Sequence, residues 1–306
     1  IGDGVAIITV TSNDVNTVTA NCNITVTPPP PPSAGVGAET HEAHEIQYTW
    51  EELSQIAKVI SDNYGTTEEG KINNDTAEVN VSINGKADTL GIGDWTTVDG
   101  KRVRILGFNH DELATSREND DGTTEAIAPQ YGIGTTNIYA GISFEFVNTI
   151  MKSTINNNRP YYGWGACALR GTLNSTIYDS LENKAYIKEV NKEYIKTYND
   201  ADSVTTSQDK LWLLSCSEIW NNGVNEQRPY GHAIAKEGEQ YKYYKNINAN
   251  CNELNEALSK IEGGYNVAWF LRSASLQGIN YYTYVSRKVF QNSYSGSISV
   301  MPGFSI

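Results

Sequence analysis

Two histidines close to acidic residues are the first groups in this chain whose chemistry suits a metal site. The run HEAHE occupies positions 41–45 and resembles the zinc-binding sequence of metalloproteases. That sequence needs its second histidine four residues after the first, so that both imidazoles share one face of a helix. Here Glu45 stands at that position. The spacing argues against a metal site, and we interpret positions 41–45 as the solvated end of a linker.

The other reactive residues make no stronger case for catalysis. The run ENDDG at 118–122 offers oxygens for calcium, but it lacks the alternating ligands of an EF-hand loop. His110 precedes Asp111, a pairing that suits proton transfer, but we favour a structural role for this histidine. No nucleophile elbow, phosphate-binding loop or dinucleotide-binding motif occurs in the sequence. We therefore predict no catalytic residue, no bound metal and no cofactor.

The four cysteines are Cys22, Cys167, Cys216 and Cys251, and none of them forms a CxxC pair. A structural zinc site is built from such pairs, so none is expected here. Cys167 and Cys216 lie among apolar neighbours, which raise the pKa of a thiol and make it unreactive. We interpret the cysteines mainly as small buried residues.

The net charge of −13 and the isoelectric point near 4.8 exclude several classes of partner. A nucleic-acid-binding protein needs a basic face to neutralise phosphates, and an anionic membrane surface would repel this chain. No run of 18 apolar residues occurs, so we expect no membrane insertion. The chain also begins within a strand-like pattern, from which we expect a piece of a longer protein. Its polar, Tyr- and Asn-rich composition suggests work outside a cytoplasm.

The C-terminal segment differs from the rest of the chain in charge and composition. The 44 residues after Glu262 contain no Asp or Glu and carry a charge of +3, whereas the remainder carries −16. Tyr, Ser, Asn and Gly dominate the segment, as in antibody paratopes, where Tyr supplies contact area and small polar residues supply hydrogen bonds. A Tyr-rich polar edge of a sheet, without a ligand, explains the composition equally well.

Local patterns predict the elements that position these residues. Strands at 4–10 and 17–27 form a hairpin, and five prolines at 28–32 form a stiff rod. A capping box at Thr49 and Glu52 starts a helix over 50–63. Hairpins follow, one with its turn at 84–85 and one within 94–108.

The second half of the chain contains both predicted helices and predicted strands, and the expected fold class is α+β. We expect helices at 143–155, at 167–198 with a break near Asn183, and at 251–261, with a buried strand at 210–219. Three further strands are expected at 267–272, 281–286 and 298–306. Alternation buries one face of 298–306, and in 281–285 it points Val285 inward and Tyr282 and Tyr284 outward.

Several blocks of sequence resemble known families. Residues 4–27 are similar to the last two strands of a bacterial group-2 immunoglobulin-like domain. The blocks WFLRS at 269–273 and VMPGFSI at 300–306 look like the end of a C-type-lectin-like domain of bacterial surface proteins and phage tails. Upstream blocks agree, among them GDW at 93–95 and KLWLLS at 210–215, so the resemblance covers roughly residues 46–306.

This resemblance implies a domain organisation and a set of site residues. The Ig-like end would span 1–27, a polyproline linker 28–40, and a C-type-lectin-like domain with a mixed antiparallel sheet and flanking helices 41–306, with a variable region at about 269–306. Some relatives are variable proteins of diversity-generating retroelements, in which a fixed frame displays a mutable surface. The implied frame residues are Trp269, Leu271, Arg272, Val285, Val300, Pro302, Phe304 and Ile306. The implied ligand-binding residues are Gln277, Asn280, Tyr281, Tyr282, Tyr284, Ser286, Arg287, Phe290, Gln291, Asn292, Tyr294 and Ser299.

The function implied is that of a displayed, non-enzymatic receptor- or ligand-binding protein on a virion tail or bacterial surface. Its partner would be a host-surface protein or glycan, and homo-oligomerisation is left open. Two alternatives remain. One is a structural tail or adhesin module without a ligand. The other is an enzyme related to the formylglycine-generating oxidases, which would need Cys167 and Cys216 as a reactive pair.

Overall fold

The computed structural model describes most of the chain in separate ranges. These are residues 4–11, 19–26, 31–37, 41–65, 71–118, 122–157, 162–196, 204–220, 237–249, 258–262, 265–274, 281–285, 289–293 and 296–306. Within them the structure is mixed α and β, with small, mostly antiparallel sheets and few helices. None of the described helices is long and apolar enough to cross a membrane.

The N-terminal residues form the predicted hairpin. Strand β1 (Gly4–Thr11) pairs antiparallel with β2 (Thr19–Val26), from Gly4 opposite Val26 to Thr11 opposite Thr19. Strand β3 (Ser33–Val36) lies within the predicted linker and pairs with β4 (Glu78–Ile83). The residues that directly follow the prolines therefore belong to the same sheet as residues 78–83.

Helix α1 (Trp50–Asp62) begins as predicted, at a capping box. The Thr49 hydroxyl accepts from the Glu52 amide at 3.2 Å, and the Thr49 amide donates to the Glu52 carboxylate at 3.0 Å. The helix buries one apolar stripe, which includes Leu53, Ile56 and Ile60. Its backbone approaches Gly141 so closely that a Cβ there would lie 1.9 Å from the Ala57 carbonyl oxygen.

Two hairpins follow the helix, and both were predicted from their turns. Strand β4 returns as β5 (Lys86–Gly91), and β6 (Trp95–Val98) returns as β7 (Lys101–Phe108). The turn residues Asn84 and Gly85 have φ values of 51° and 76°, and those of Asp99 and Gly100 are 48° and 70°. Two consecutive positive φ values match the twist of the flanking strands. A short hairpin of β8 (Ser116–Glu118) and β9 (Thr124–Ala126) comes next.

The helix predicted at 143–155 is wrong. The structure has strand β10 (Ile142–Phe146) there, followed by β11 (Met151–Ser153). Strand β10 lies between β7 and the last strand, β20 (Gly303–Ser305), and all five of its residues are buried. A strand buried on both faces loses its alternating pattern, so its periodicity cannot be told from that of a buried helix.

The helix predicted over 167–198 is right only in its first half. Helix α2 (Ala168–Thr172) runs through a π-helical turn (Leu173–Ile177) into α3 (Tyr178–Ser180). The chain then forms strands β12 (Val190–Ile195) and β13 (Val204–Asp209), which pair with each other.

The buried strand predicted at 210–219 is also wrong. Its end is a short helix, α4 (Cys216–Ile219), and the preceding residues pair with a strand only at Trp212, opposite Gly303. Ser215 and Glu218 form a second capping box, a signal that the apolar run around them obscured. Helix α5 (Lys242–Asn246) follows. Of the helix predicted at 251–261, positions 251–257 lie outside the described residues, and Lys260–Glu262 is strand β14, paired with β15 (Tyr265–Val267).

The described C-terminal residues form five strands, of which those predicted at 267–272 and 281–286 are confirmed, the one predicted at 298–306 is divided in two, and the one at 289–293 was not predicted. They are β16 (Trp269–Ala274), β17 (Tyr281–Val285), β18 (Val289–Ser293), β19 (Ile298–Val300) and β20. The first four join β11 in a sheet of order β11-β19-β16-β17-β18, whereas β20 joins β10 in the other sheet. The expectation that 298–306 buries one face is wrong, because Ser299, Met301 and Ser305 are buried as fully as Val300 and Phe304. The segment crosses between two sheets and has protein on both sides.

Candidate functional site

The candidate site is the outer half of the five-stranded sheet. We call β17 and β18 the outer strands, and β16, β19 and β20 the inner strands. The outer strands pair directly, with Tyr282 opposite Asn292 and Tyr284 opposite Phe290. Tyr281 and Gln291 belong to the same two strands. Six of the predicted ligand-binding residues are thus brought onto neighbouring strands.

The other predicted ligand-binding residues fall in two groups. Five lie outside the described residues: Gln277, Asn280, Ser286, Arg287 and Tyr294. Ser299 lies on β19 rather than on the outer strands, and only 2% of its surface is exposed. A ligand that arrives from solvent would not reach this side chain, so Ser299 does not enter the surface that we propose below.

The inner strands carry most of the residues expected to form the frame, and all of the frame residues are buried. These residues are Trp269, Leu271, Arg272, Val285, Val300, Pro302, Phe304 and Ile306. Phe304 stacks on Phe144 with ring centroids 5.4 Å apart, and Trp50 of helix α1 meets Phe144 edge-on and Phe304 at a tilt. Strand β16 joins the outer strands through pairs such as Trp269 with Val285 and Phe270 with Tyr284.

Arg272 anchors β16 to the rest of the molecule, a role that sequence reasoning missed. Its guanidinium binds the Glu218 carboxylate with two hydrogen bonds, of 2.5 and 2.9 Å. It also donates to the carbonyl oxygens of Leu213, Glu193 and Glu237, at 2.8, 2.9 and 2.7 Å. Burial alone would lower the pKa of Arg272, but the Glu218 carboxylate outweighs it and raises that pKa.

Further buried charges continue this network behind the inner strands. The Lys192 ammonium lies 2.6 Å from Glu218 and 2.7 Å from Asp111. Asp111 also accepts hydrogen bonds from the hydroxyls of Ser143, Ser305 and Tyr241. Burial would raise the pKa of Asp111, but the Lys192 ammonium and the neighbouring His110 hold it well below its usual range. The network ties β10, β12 and β20 together.

Glu237 is a buried carboxyl group of this region whose pKa is raised, whereas that of Asp111 is lowered. Glu237 accepts from the Ile195 amide at 3.0 Å and contacts the Ser273 hydroxyl of β16. Burial raises the pKa of Glu237 to about 7, and the nearby Arg272 only partly opposes that effect. This group therefore changes charge close to neutral pH.

A polar cleft of about 420 Å³ opens beside the network. His110 lines it and stacks on Tyr241, with ring centroids 3.9 Å apart. Asp111, Lys192 and Glu218 also line it, and each is paired with an opposite charge. The charges of Asp111, Lys192 and Glu218 therefore neutralise one another beside the cleft.

The thiol chemistry that an oxidase would need has no support at Cys167. Its thiol is buried and donates to the Ile155 carbonyl oxygen at 2.8 Å. Burial raises the pKa of Cys167 to about 12, so the nucleophilic thiolate is scarce near neutral pH. Cys216 is buried as well, at the start of α4.

Comparisons with known proteins place the second half of the chain in a family. Residues 146–306 match a domain of unknown function, DUF6273. Searches of the curated proteins and of the solved structures found no match. The matched segment begins at the end of β10 and includes the inner and outer strands and the Arg272–Glu218 pair. Because it covers just over half of the sequence, the chain belongs to the DUF6273 family.

Proposed function

We propose that this protein is a displayed, non-enzymatic ligand-binding protein, with the outer strands as its binding surface. One observation carries the proposal. Tyr281, Tyr282 and Tyr284 lie on β17, directly paired with a strand that carries Phe290, Gln291 and Asn292. The neighbouring β16 is buried along its whole length. An aromatic and amide-rich pair of strands thus stands beside a rigid support.

The chemistry of these residues suits recognition by contact. Tyr provides a large amphipathic surface at the entropic cost of only two side-chain torsions, and Asn and Gln provide adaptable hydrogen bonds. Pairing between strands fixes the spacing of the side chains, which lowers the cost of ordering them on binding. Of the three positive charges after Glu262, that of Arg272 is neutralised inside the fold by Glu218, and the other two, on Arg287 and Lys288, lie outside the described residues.

We further propose a C-type-lectin-like fold for residues 41–306 and display on a virion tail or a bacterial surface. Support comes from the sequence blocks described above and from the mixed α and β architecture. The ligand class is a host-surface protein or glycan. The rival function, a structural module without a ligand, differs in predicting that substitutions in the outer strands change no binding.

A binding assay with intact bacterial cells and a glycan array tests the proposal. The full chain is labelled and compared with Tyr282→Ala and Tyr284→Ala variants. Loss of either aromatic contact is expected to weaken binding by about tenfold or more, since such anchors are worth at least about 1.4 kcal/mol. Tyr265→Ala is the matched control, because Tyr265 is 78% exposed on β15, outside the proposed surface.

The outcomes separate the functions. Equal binding by all variants, or no binding above background to any cell or glycan, would favour the structural module. If Tyr265→Ala binds more weakly than Tyr282→Ala, the binding surface lies outside the outer strands. Alleles from sister isolates test diversification itself, which requires substitutions concentrated in 277–299 and a near-copy of the 3′ end beside a reverse transcriptase gene.

A further inference from the structure

The run at 41–45, interpreted from the sequence as a solvated linker end, is held against the folded domain. The Trp95 amide donates to the His44 carbonyl oxygen at 3.0 Å, and the Ile46 amide donates to the Trp95 carbonyl oxygen at 2.8 Å. Only 12% of the His41 side chain is exposed, so the solvated interpretation is wrong for this residue. Both histidines are thereby brought to Asp94, in the turn between β5 and β6.

These three residues present their ligand atoms to one another. One oxygen of Asp94, Oδ1, lies 2.6 Å from His41 Nε2 and 3.3 Å from His44 Nδ1. Ligand atoms of all three residues lie within 4.8 Å of each other. A zinc ion holds nitrogen and oxygen ligands at about 2.0–2.1 Å, which places tetrahedral ligands about 3.3 Å apart. The His44 contact already has this spacing, and the His41 contact needs to open by less than about 1 Å.

The carboxylate between the histidines is fixed in place. Asp94 is completely buried, its Oδ2 accepts from the Gly91 amide at 2.7 Å, and its Oδ1 accepts from the His44 amide at 2.8 Å. The His41 ring packs against Gly91 so tightly that a Cβ there would lie 2.0 Å from the ring. Backbone hydrogen bonds therefore hold the Asp94 carboxylate in place between the two histidines.

The far nitrogens of both imidazoles point at further carboxylates. His44 Nε2 lies 3.3 Å from Asp88, and His41 Nδ1 lies 3.8 Å from Glu78. Histidines that bind metals usually donate their other N–H to a carboxylate, which fixes the tautomer and makes the ligand more basic. A single hydrogen bond between a histidine and an aspartate does not require a further carboxylate beside the other ring nitrogen, yet both histidines have one.

The local charge also favours a cation. Three carboxylates, those of Asp94, Asp88 and Glu78, surround two imidazoles that are neutral when they act as ligands. Two nitrogens and one oxygen suit zinc and its neighbours in the transition series, whereas calcium and magnesium prefer oxygen alone. The His44 side chain is 38% exposed, which leaves access for the ion and for a water as its fourth ligand.

We propose that His41 Nε2, His44 Nδ1 and Asp94 Oδ1 bind a divalent transition-metal ion of the zinc class. The ion takes the place of the proton between His41 and Asp94, and His41 then carries its proton on Nδ1, facing Glu78. The bound ion fastens the segment after the proline-rich run to the β5–β6 turn. The proposal is independent of the ligand-binding function, since it uses none of the outer strands.

Calorimetric titration of the full, chelator-treated chain with Zn²⁺, and visible spectroscopy with Co²⁺, test the site. We expect about one Zn²⁺ per chain, a raised Tm on binding, and the absorption of a tetrahedral Co²⁺ complex. Asp88→Asn, which alters only a positioning residue, is expected to weaken binding about 10–100-fold. His44→Ala, which removes a ligand, is expected to weaken it more.

Two further variants keep the test decisive. Gly91→Ala retains every ligand but displaces the His41 ring, so it is expected to weaken Zn²⁺ binding. His110→Gln removes an imidazole from the cleft and is expected to leave binding unchanged. A metal-free Tm close to that of the unsubstituted chain shows that each variant folds. The proposal is overturned if Zn²⁺ fails to bind, or if His44→Ala and Gly91→Ala bind it as tightly as the unsubstituted chain.

Discussion

The inner and outer strands are close to one another in the chain, yet they differ in what holds them in the molecule. The buried polar side chains Arg272 and Ser305 of the inner strands have fixed partners, Glu218 and Asp111 respectively. The outer strands are held to the sheet by backbone pairing and by buried Val285. The segment after Glu262, which contains no Asp or Glu, thus includes both the buried inner strands and the outer strands that we propose as the binding surface.

The largest expected effect is on the anchor of the inner strands. Arg272→Leu leaves the buried Glu218 carboxylate with Lys192 as its remaining cation and also removes the hydrogen bonds to three carbonyl oxygens. The free energy of unfolding is expected to fall by about 3–5 kcal/mol, as measured by urea denaturation. Arg102→Leu is the control, because Arg102 is exposed over the Trp95 ring, and its loss is expected to cost about 0.5–1 kcal/mol. Equal losses of unfolding free energy in the two variants would show that Arg272 stabilises the fold no more than an exposed arginine does.

A pair of identical substitutions compares the two regions directly. Phe304→Ala opens a cavity beside Phe144 and is expected to cost about 3–5 kcal/mol of unfolding free energy. Phe290→Ala, on an outer strand, is expected to stay within about 0.5 kcal/mol of the unsubstituted chain. Thermal and urea denaturation of both variants measure the difference. A cost for Phe290→Ala close to that for Phe304→Ala would show that β18 belongs to the frame.

The pH dependence of stability gives a smaller, signed test of the inner region. The pKa of Glu237 is 4.5 in the unfolded chain and about 7 in the folded chain. At pH values between these two, the carboxyl group is protonated in the folded chain and ionised in the unfolded chain. Its contribution to stability is complete below pH 4.5 and is lost as the pH rises through about 7. The slope is at most about 1.4 kcal/mol per pH unit.

Glu237→Gln, which is always neutral, is expected to flatten this part of the stability profile. Urea denaturation across the same pH range measures it. The control is Glu239→Gln, two residues away, because the Glu239 side chain is exposed. A profile for Glu237→Gln that still falls as steeply as that of the unsubstituted chain would show that another group titrates.

Local signals in the sequence predicted the parts of the fold that local interactions determine. The capping box at Thr49 and the turn residues Asn84 and Gly85 gave the first helix and its following hairpin. Strand β10 was mistaken for a helix because burial on both faces removes the alternation that marks a strand. The short helix α4 was mistaken for a strand because its apolar setting outweighed a correct capping signal.

The two candidate sites depend even more than the fold does on contacts between residues that are far apart in the chain. Tyr-rich composition was enough to single out the outer strands before the pairing of Tyr282 with Asn292 was known. The partner of Arg272 lies 54 residues away in the chain, and the Asp94 partner of His41 lies 53 residues away. Neither contact can be predicted from the spacing of residues in the sequence, because both form only when distant segments pack together.

A mutational scan of 265–306 with protease resistance as the readout tests the central claim most directly. The chain is displayed on yeast, every position is substituted, and folding is scored by survival of proteolysis. We expect Trp269, Arg272 and Phe304 to tolerate few substitutions, whereas Tyr282, Tyr284 and Asn292 tolerate most of them. Equal intolerance across the inner and outer strands would contradict the division between a fixed frame and a replaceable surface.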